Sequence, residues 1–129
     1  MLNFFQMLFL YVAGHSLADT ALQKHDMGGG KNRHNPIDMS KVPVGQKPLN
    51  LAFMWLLHHI LIQGLIVTFI SYFITRNIIL STSLGMVEFV LHGLIDFGKC
   101  ESWYNPYVDQ SLHIISKIFY ITIIIGGRN

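Results

Sequence analysis

Charged residues are scarce in this chain. Only 12% of its 129 residues are Asp, Glu, Lys or Arg, whereas 51% are hydrophobic. A soluble domain ordinarily carries about 25% charged residues, so the composition argues against a soluble protein. The net charge of +2 is too small to indicate nucleic-acid binding, and the basic residues are not interleaved with aromatic residues that stack on bases. We therefore predict a protein of the lipid bilayer that does not bind nucleic acid.

Cysteine is nearly absent as well. The single residue, Cys100, excludes an internal disulfide and leaves the redox compartment open. A metal site built from several thiolates is also disfavoured.

The first apolar run, MLNFFQMLFLYVAG, has no preceding Lys or Arg. A secretory signal peptide normally carries basic residues before its apolar segment. We therefore expect this run to be a membrane span and not a cleaved leader.

Apolar residues are concentrated in four blocks, and the longer blocks reach the roughly 20 residues that are needed to cross hydrocarbon. We predict an all-α fold, a polytopic membrane four-helix bundle that forms a single domain. The predicted spans are 1–23, 49–76, 78–97 and 106–125, and residues 24–48 form a long loop.

Basic residues are distributed unevenly between the two sides of this bundle. The first and third connections hold Lys24, Lys31, Arg33, Lys41, Lys47 and Lys99, whereas Arg76 and Arg128 lie on the opposite side. The positive-inside rule then makes the loop cytoplasmic and puts both termini outside. A loop of this length is usually either disordered or functional, and the sequence leaves both alternatives open.

Each predicted span carries polar residues that are spaced to share one helical face. They are His15, Asp19 and Gln23 in the first span, His59 and Gln63 in the second, Glu88, His92 and Asp96 in the third, and Asp109, His113 and Lys117 in the fourth. An ionisable group in hydrocarbon costs roughly 2.5 to 3.5 kcal/mol, so such groups normally face the bundle interior. The topology places the four His residues in one layer, roughly 8 to 16 Å from the cytoplasmic surface.

Imidazole and carboxylate together suit a divalent metal, with zinc expected first and manganese, iron or nickel as alternatives. The candidate ligands are His15, Asp19, His59, His92, Asp96, Asp109 and His113, and Gln23, Gln63 and Gln110 are candidates to orient them. Adjacent residues point about 100° apart on a helix, so His58 and His59 cannot easily reach the same centre. Of the two, His59 is the preferred ligand. These ligands exceed one tetrahedral zinc site, so either some of them only support the site or two metals bind. Polar pairs that merely fasten the helices together are the alternative.

Two further residues are candidates for catalysis. Glu88 lies one turn deeper than His92 and could be a general base, a proton carrier or an acid bonded to a neighbour. Lys117 could bind a substrate phosphate or pair with a carboxylate.

Four motifs, one in each span, resemble an integral-membrane family of bacteria and their phages that is designated a domain of unknown function. The motifs are HxxxDxxLQ, HH, HGLIDxxK and DQxxH. That family is similar to membrane proteins described as metal-dependent hydrolases. The resemblance implies this fold, a bound metal and a multi-pass protein of the bacterial inner membrane, but it does not cover the Gly-rich loop.

The leading functional hypothesis is a metal-dependent membrane hydrolase that acts at the cytoplasmic face on a phosphoester or another polar, lipid-linked ester. A metal would lower the pKa of water and polarise the scissile group. One alternative is a small proton- or cation-coupled carrier or channel subunit, which at this length would have to be very small or form a homo-oligomer. The other is a phage-type membrane factor that binds a host protein through the loop.

Overall fold

The computed structural model describes residues 2–22 and 30–127 and, for this part of the chain, contains no β-strand. The helices are α1 (Phe4–Thr20), α2 (Ala52–Thr75), α3 (Ile78–Cys100) and α4 (Pro106–Gly126), with a short 3-10 helix at Met39–Lys41. The predicted all-α class with four helices is confirmed for the described residues.

Asn residues cap three of the helices. The Asn3 side chain accepts a hydrogen bond from the Gln6 backbone N–H, and the Gln6 side chain returns the bond to the Asn3 backbone. The Asn77 side chain caps α3 by accepting a backbone hydrogen bond. Asn105 accepts from two backbone N–H groups of α4, with Pro106 in the first turn. These caps fix where each helix enters the bundle.

The helix that carries the third predicted span extends beyond it. The span is predicted at 78–97, and α3 continues to Cys100. Lys99 lies in the last turn, where a cation is favourable beside the carbonyl end of a helix. The Glu101 N–H also bonds to the Phe97 carbonyl, which closes this extra turn.

Two other helices are shorter than the predicted spans. α1 ends at Thr20, before the predicted limit at residue 23, and Gln23 lies outside the described residues. α2 begins at Ala52 and not at residue 49, because the Asn50 side chain takes up the Ala52 backbone N–H. Such a local bond competes with an earlier start of the helix.

Three helices, α2, α3 and α4, are long and apolar enough to cross a membrane. This indicates a membrane protein. α1 has 17 residues and so spans about 25 Å, slightly less than the roughly 30 Å of a hydrocarbon core. Its role as a fourth span stays a prediction.

The outer surface of the bundle is apolar, whereas much of its interior is polar. Phe5, Phe69, Ile79 and Met86 are each more than 70% exposed. The fully buried side chains include His59, Glu88, His92, Asp109, His113 and Lys117. This distribution is the reverse of a soluble protein and suits a bundle that is surrounded by lipid.

The helices form a closed ring in which each packs against its neighbours in sequence and α1 packs against α4. The α2 and α3 helices form a tight hairpin whose turn contains Arg76 in the left-handed region, at φ 55°. The hairpin is close because Gly64 faces Gly85, where an added Cβ would lie 2.6 Å from the Gly64 carbonyl oxygen. Small residues at such a crossing allow two membrane helices to approach closely.

An apolar cluster fills the interior at one end of the bundle, and we call this end the apolar half. Its buried members are Met7, Tyr11, Val67, Leu84, Tyr120, Ile121 and Ile124. They come from the first half of α1 and α3 and the second half of α2 and α4, as the antiparallel order requires. The opposite half therefore receives the predicted polar stripes.

Candidate metal centre

One imidazole from each helix meets in the opposite half of the bundle. The His113 ring centroid lies 4.7 Å from that of His15 and 4.1 Å from that of His92, and the His59 ring is 4.9 Å from the His92 ring. All four rings are buried. The helices thus assemble a single histidine layer from residues that lie far apart in sequence.

Asp96 lies at the centre of this layer and contacts imidazoles from three helices. Its Oδ2 atom is 3.4 Å from His59 Nε2 and 3.8 Å from His92 Nε2. Its Oδ1 atom is 3.5 Å from His113 Nε2. The two oxygens of one carboxylate therefore face different histidines.

Asp19 and Asp109 complete the layer at similar separations. Asp19 lies 3.4 Å from His59 Nε2 through Oδ1 and 3.6 Å from His15 Nε2 through Oδ2. Asp109 Oδ1 is 3.7 Å from His113 Nε2. These distances exceed the 2.7 to 3.2 Å of a good N–H···O hydrogen bond. They are close to the ~3.0 to 3.6 Å expected between two donors that each lie about 2.1 Å from one shared ion.

Several buried atoms in the layer also lack a hydrogen-bond partner among the described residues. They are His15 Nε2, His59 Nδ1, Asp109 Oδ1 and both ring nitrogens of His113. Leaving such an atom unsatisfied costs about 1 to 3 kcal/mol, so a ligand is expected to complete it.

Three groups of donors could each hold a metal ion, with the ligand atoms of each group within 4.8 Å of one another. The groups are His15 with His92 and His113, Asp19 with His59 and His92, and Asp96 with Asp109 and His113. All seven predicted ligands belong to at least one group. The residues present therefore fit a divalent ion, whose identity stays a prediction.

Side chains around the layer turn the donor atoms toward its centre. Gln63 Nε2 donates to Asp19 Oδ1 at 2.6 Å, and Gln63 Oε1 lies 3.3 Å from His15 Nδ1. If Nδ1–H donates to that oxygen, His15 Nε2 keeps its lone pair for the layer. Lys99 and Gln110 both donate to Asp109 Oδ2, at 2.9 and 3.0 Å, and leave Oδ1 available. Gln63 and Gln110 thus occupy the orienting positions predicted for them.

His58 lies outside this arrangement. Its Nδ1 atom is 2.8 Å from the Met54 carbonyl oxygen of its own helix, and the side chain is exposed. The helical rotation of about 100° between neighbours separates it from His59, which lies in the layer.

Glu88 and Lys117 are engaged with each other beneath the layer. Lys117 Nζ is 2.5 Å from Glu88 Oε1, and His92 Nδ1 lies 3.0 Å from the same oxygen. The Tyr120 hydroxyl donates to Glu88 Oε2 at 2.8 Å. This geometry favours a carboxylate bonded to its neighbours over a free general base, and the pairing with Lys117 differs from the protonated acid that the sequence also allowed. A carboxylate on Nδ1 also directs His92 Nε2 toward the layer.

Sequence reasoning missed three participants, Lys31, Lys99 and Tyr120. The spacing held a signal for two of them, because Lys99 follows Asp96 by three positions and Tyr120 follows Lys117 by three. Lys31 contacts Asp96 Oδ2 at 2.5 Å from the connection between α1 and α2. No periodicity identifies a contact made by an irregular segment.

The same connection is fastened to the end of α3. Arg33 binds Glu101 with two nitrogens, each at 2.9 Å, and His34 Nε2 lies 3.1 Å from Glu101 Oε1. The hydrogen bond from the Arg33 guanidinium holds the pKa of Glu101 below its usual range. Gly30 and Asn32, on either side of Lys31, help to line a cavity of about 680 Å³ next to Trp55. An open space therefore adjoins the lysine that touches Asp96.

Comparison of the chain with family models, curated proteins and solved structures finds no match. The family resemblance of the four motifs consequently stays a prediction. The geometry of the histidine layer is therefore the observation that bears on biochemical function.

Proposed function

We propose that this chain is a metal-dependent membrane hydrolase that acts on a phosphoester or another polar ester. The observation that carries the proposal is a layer of four buried imidazoles and three carboxylates, of which Asp96 and Asp109 are buried, inside a bundle with an apolar exterior. Polar groups in such a setting are expensive, and their convergence from four helices is typical of a functional site. We also propose that the chain belongs to the integral-membrane family that its motifs resemble.

Charge in the layer supports a bound cation. With neutral imidazoles, the carboxylates of Asp19, Asp96 and Asp109 are opposed by the ammonium groups of Lys31 and Lys99. The pair of Glu88 and Lys117 is neutral on its own. An excess negative charge therefore remains among these groups, and a divalent ion would compensate it in a region from which water is largely excluded.

Different residues of the chain would bind the metal, accept a proton and bind the substrate. Asp19, His59, His92, Asp96, Asp109 and His113 would hold the ion, which when bound polarises an ester and lowers the pKa of water. His15 Nε2 has no hydrogen-bond partner in the described part of the chain and can accept the proton of an attacking water. Lys31 lies between Gly30 and Asn32, which line the cavity beside Trp55, and it can bind an anionic group of the substrate.

Basic residues support a cytoplasmic location for this end of the bundle. Lys31, Arg33 and Lys99 all lie at the polar end, whereas Arg76 lies at the α2–α3 turn on the opposite side. We propose that α1 is a fourth span, that both termini are outside and that the loop at 24–48 is cytoplasmic. The protein would then be a multi-pass protein of the bacterial inner membrane.

The test combines metal content with hydrolysis of a chromogenic phosphoester, p-nitrophenyl phosphate or its bis ester, by the full chain in detergent. We expect near-stoichiometric metal, turnover that a chelator abolishes, and loss of turnover of roughly 100-fold or more in His15→Ala with metal retained. His58→Ala is the matched control and should behave as the wild type. A folded wild type that stays metal-free in excess zinc and manganese would overturn the proposal.

A carrier function is the second candidate, because hydroxyl groups continue into the apolar half. The Tyr11 hydroxyl is 2.6 Å from Ser71 Oγ, and Thr75 Oγ1 is 3.3 Å from Ser81 Oγ. The rings of Tyr11 and Tyr120 lie 6.1 Å apart, and no hydrogen bond between them is described. This break favours the hydrolase. Metal-dependent proton flux through liposomes that contain the protein, without esterase turnover, would support the carrier.

A host-binding factor would need the loop as a free surface. Residues 31–34 instead hold Asp96 and Glu101, which makes this part of the connection a component of the site. Deletion of 36–47 that left metal and turnover unchanged but removed binding to a host protein would favour that third reading.

A further inference from the structure

We infer that the layer binds two metal ions and that the carboxylate of Asp96 bridges them. This inference rests on the proposed metal-dependent function and narrows it to phosphoesters. Two of the three donor groups share no residue, a first group of Asp19, His59 and His92 and a second group of Asp96, Asp109 and His113, whereas the third, with His15, takes His92 from the first and His113 from the second. Within each group the ligand atoms lie within 4.8 Å of one another.

Asp96 connects the groups through its two oxygens. Oδ1 belongs to the second group, 3.5 Å from His113 Nε2, whereas Oδ2 is turned to the first group, 3.4 Å from His59 Nε2. A carboxylate that faces two donor sets in this way can join two ions about 3.5 to 4 Å apart. Ions at that separation clamp the attacking and leaving oxygens of a phosphoryl group, which identifies the substrate class.

The neighbours of each group turn its donor atoms inward. In the first group, Gln63 holds Asp19 and Glu88 directs His92 Nε2 toward the layer. In the second group, Lys99 and Gln110 occupy Asp109 Oδ2 and leave Oδ1 without a hydrogen-bond partner among the described residues. Asp109 and His113 are 0% and 1% exposed, and Asp109 Oδ1 lies 3.7 Å from His113 Nε2, so the two atoms face each other in a buried position.

Lys31 makes the two positions unequal. Its ammonium group lies 2.5 Å from Asp96 Oδ2, where it stands in for a cation of the first group. An ion in the first group must displace Lys31, whereas the second group uses Oδ1 and meets no such competitor. We therefore expect tight binding to the second group and weaker binding to the first. Displaced Lys31 is then free to contact a substrate phosphate beside the cavity.

The experiment is a Mn²⁺ titration of the metal-depleted full chain in detergent, followed by calorimetry, metal analysis and electron paramagnetic resonance. We expect two ions per chain, one tight and one weak, with a spin-coupled signal at full occupancy. Asp109→Asn should lose the tight ion, His59→Ala should lose the weak one, and Asp96→Asn should abolish the coupling. Lys31→Met should tighten the weak site alone by about tenfold, because the competing charge is gone.

Helix content by circular dichroism verifies that each variant folds, and His58→Ala is the control that should retain both ions and the coupling. A single ion per chain in the folded wild type would overturn the two-ion inference and leave the hydrolase proposal intact. Two ions without spin coupling would overturn the Asp96 bridge. A wild type with no ion would overturn both proposals.

Discussion

The two halves of the bundle differ in whether their buried polar groups have hydrogen-bond partners. In the apolar half, the Tyr11 and Tyr120 hydroxyls both have close partners at 2.6 and 2.8 Å. In the histidine layer, buried atoms of His15, Asp109 and His113 have none among the described residues. We infer that the apolar half stabilises the fold, whereas the layer leaves ligand-binding atoms unbonded at some cost in stability.

The pair of Glu88 and Lys117 forms the boundary between the halves, and breaking it should have the largest effect. Lys117→Met leaves the Glu88 carboxylate buried without its cation, so we expect a loss of about 3 to 5 kcal/mol in the free energy of unfolding. Denaturant titration in detergent, followed by circular dichroism, measures it. The double variant Glu88→Gln with Lys117→Met should recover most of the loss. A single variant as stable as the wild type would contradict the boundary role.

The apolar half can be tested by removing one hydroxyl at a time. Tyr120→Phe removes a bond to a charged acceptor and should cost about 1.5 to 3 kcal/mol. Tyr11→Phe removes a bond to the neutral Ser71 hydroxyl and should cost about 0.5 to 1.5 kcal/mol. Both rings remain, so packing is retained. Equal losses, measured by the same titration, would argue against a charged Glu88.

The smallest effect is expected in the histidine layer. His113→Leu replaces a ring whose two nitrogens have no hydrogen bond to any described residue by an apolar side chain of similar size. We expect the metal-free protein to change by less than about 1 kcal/mol, whereas the metal-dependent rise in melting temperature should shrink or vanish. Thermal scans with and without Mn²⁺ measure both. A large loss without metal would show that His113 serves the fold.

The sequence allowed prediction of the helices and the layer because both depend on spacing. Residues four positions apart, such as His92 and Asp96, share a face in any helix, and the antiparallel order then brings four such faces to one end. Helix ends were less predictable, since the extra turn at Cys100 and the late start at Ala52 depend on single local hydrogen bonds.

The part of the site that could not be predicted comes from the connection. Lys31 reaches Asp96, 65 positions away in sequence, from a segment without periodicity. The sequence left three alternatives for Glu88 and two for Lys117 and did not pair them, because spacing indicates which residues face the interior but not which of them meet. Contacts between elements depend on the three-dimensional arrangement of the helices and loops.

The pair of Glu88 and Lys117 also bears on how the protein enters a membrane. The two residues lie on consecutive helices, α3 and α4, and an ionised residue that enters hydrocarbon alone costs roughly 2.5 to 3.5 kcal/mol. Glu88 has the His92 imidazole as a neighbour on α3, but its lysine partner lies on α4. We therefore expect α3 and α4 to leave the insertion machinery together as a hairpin, so that the order of synthesis and the pairing of charges are coupled during biogenesis.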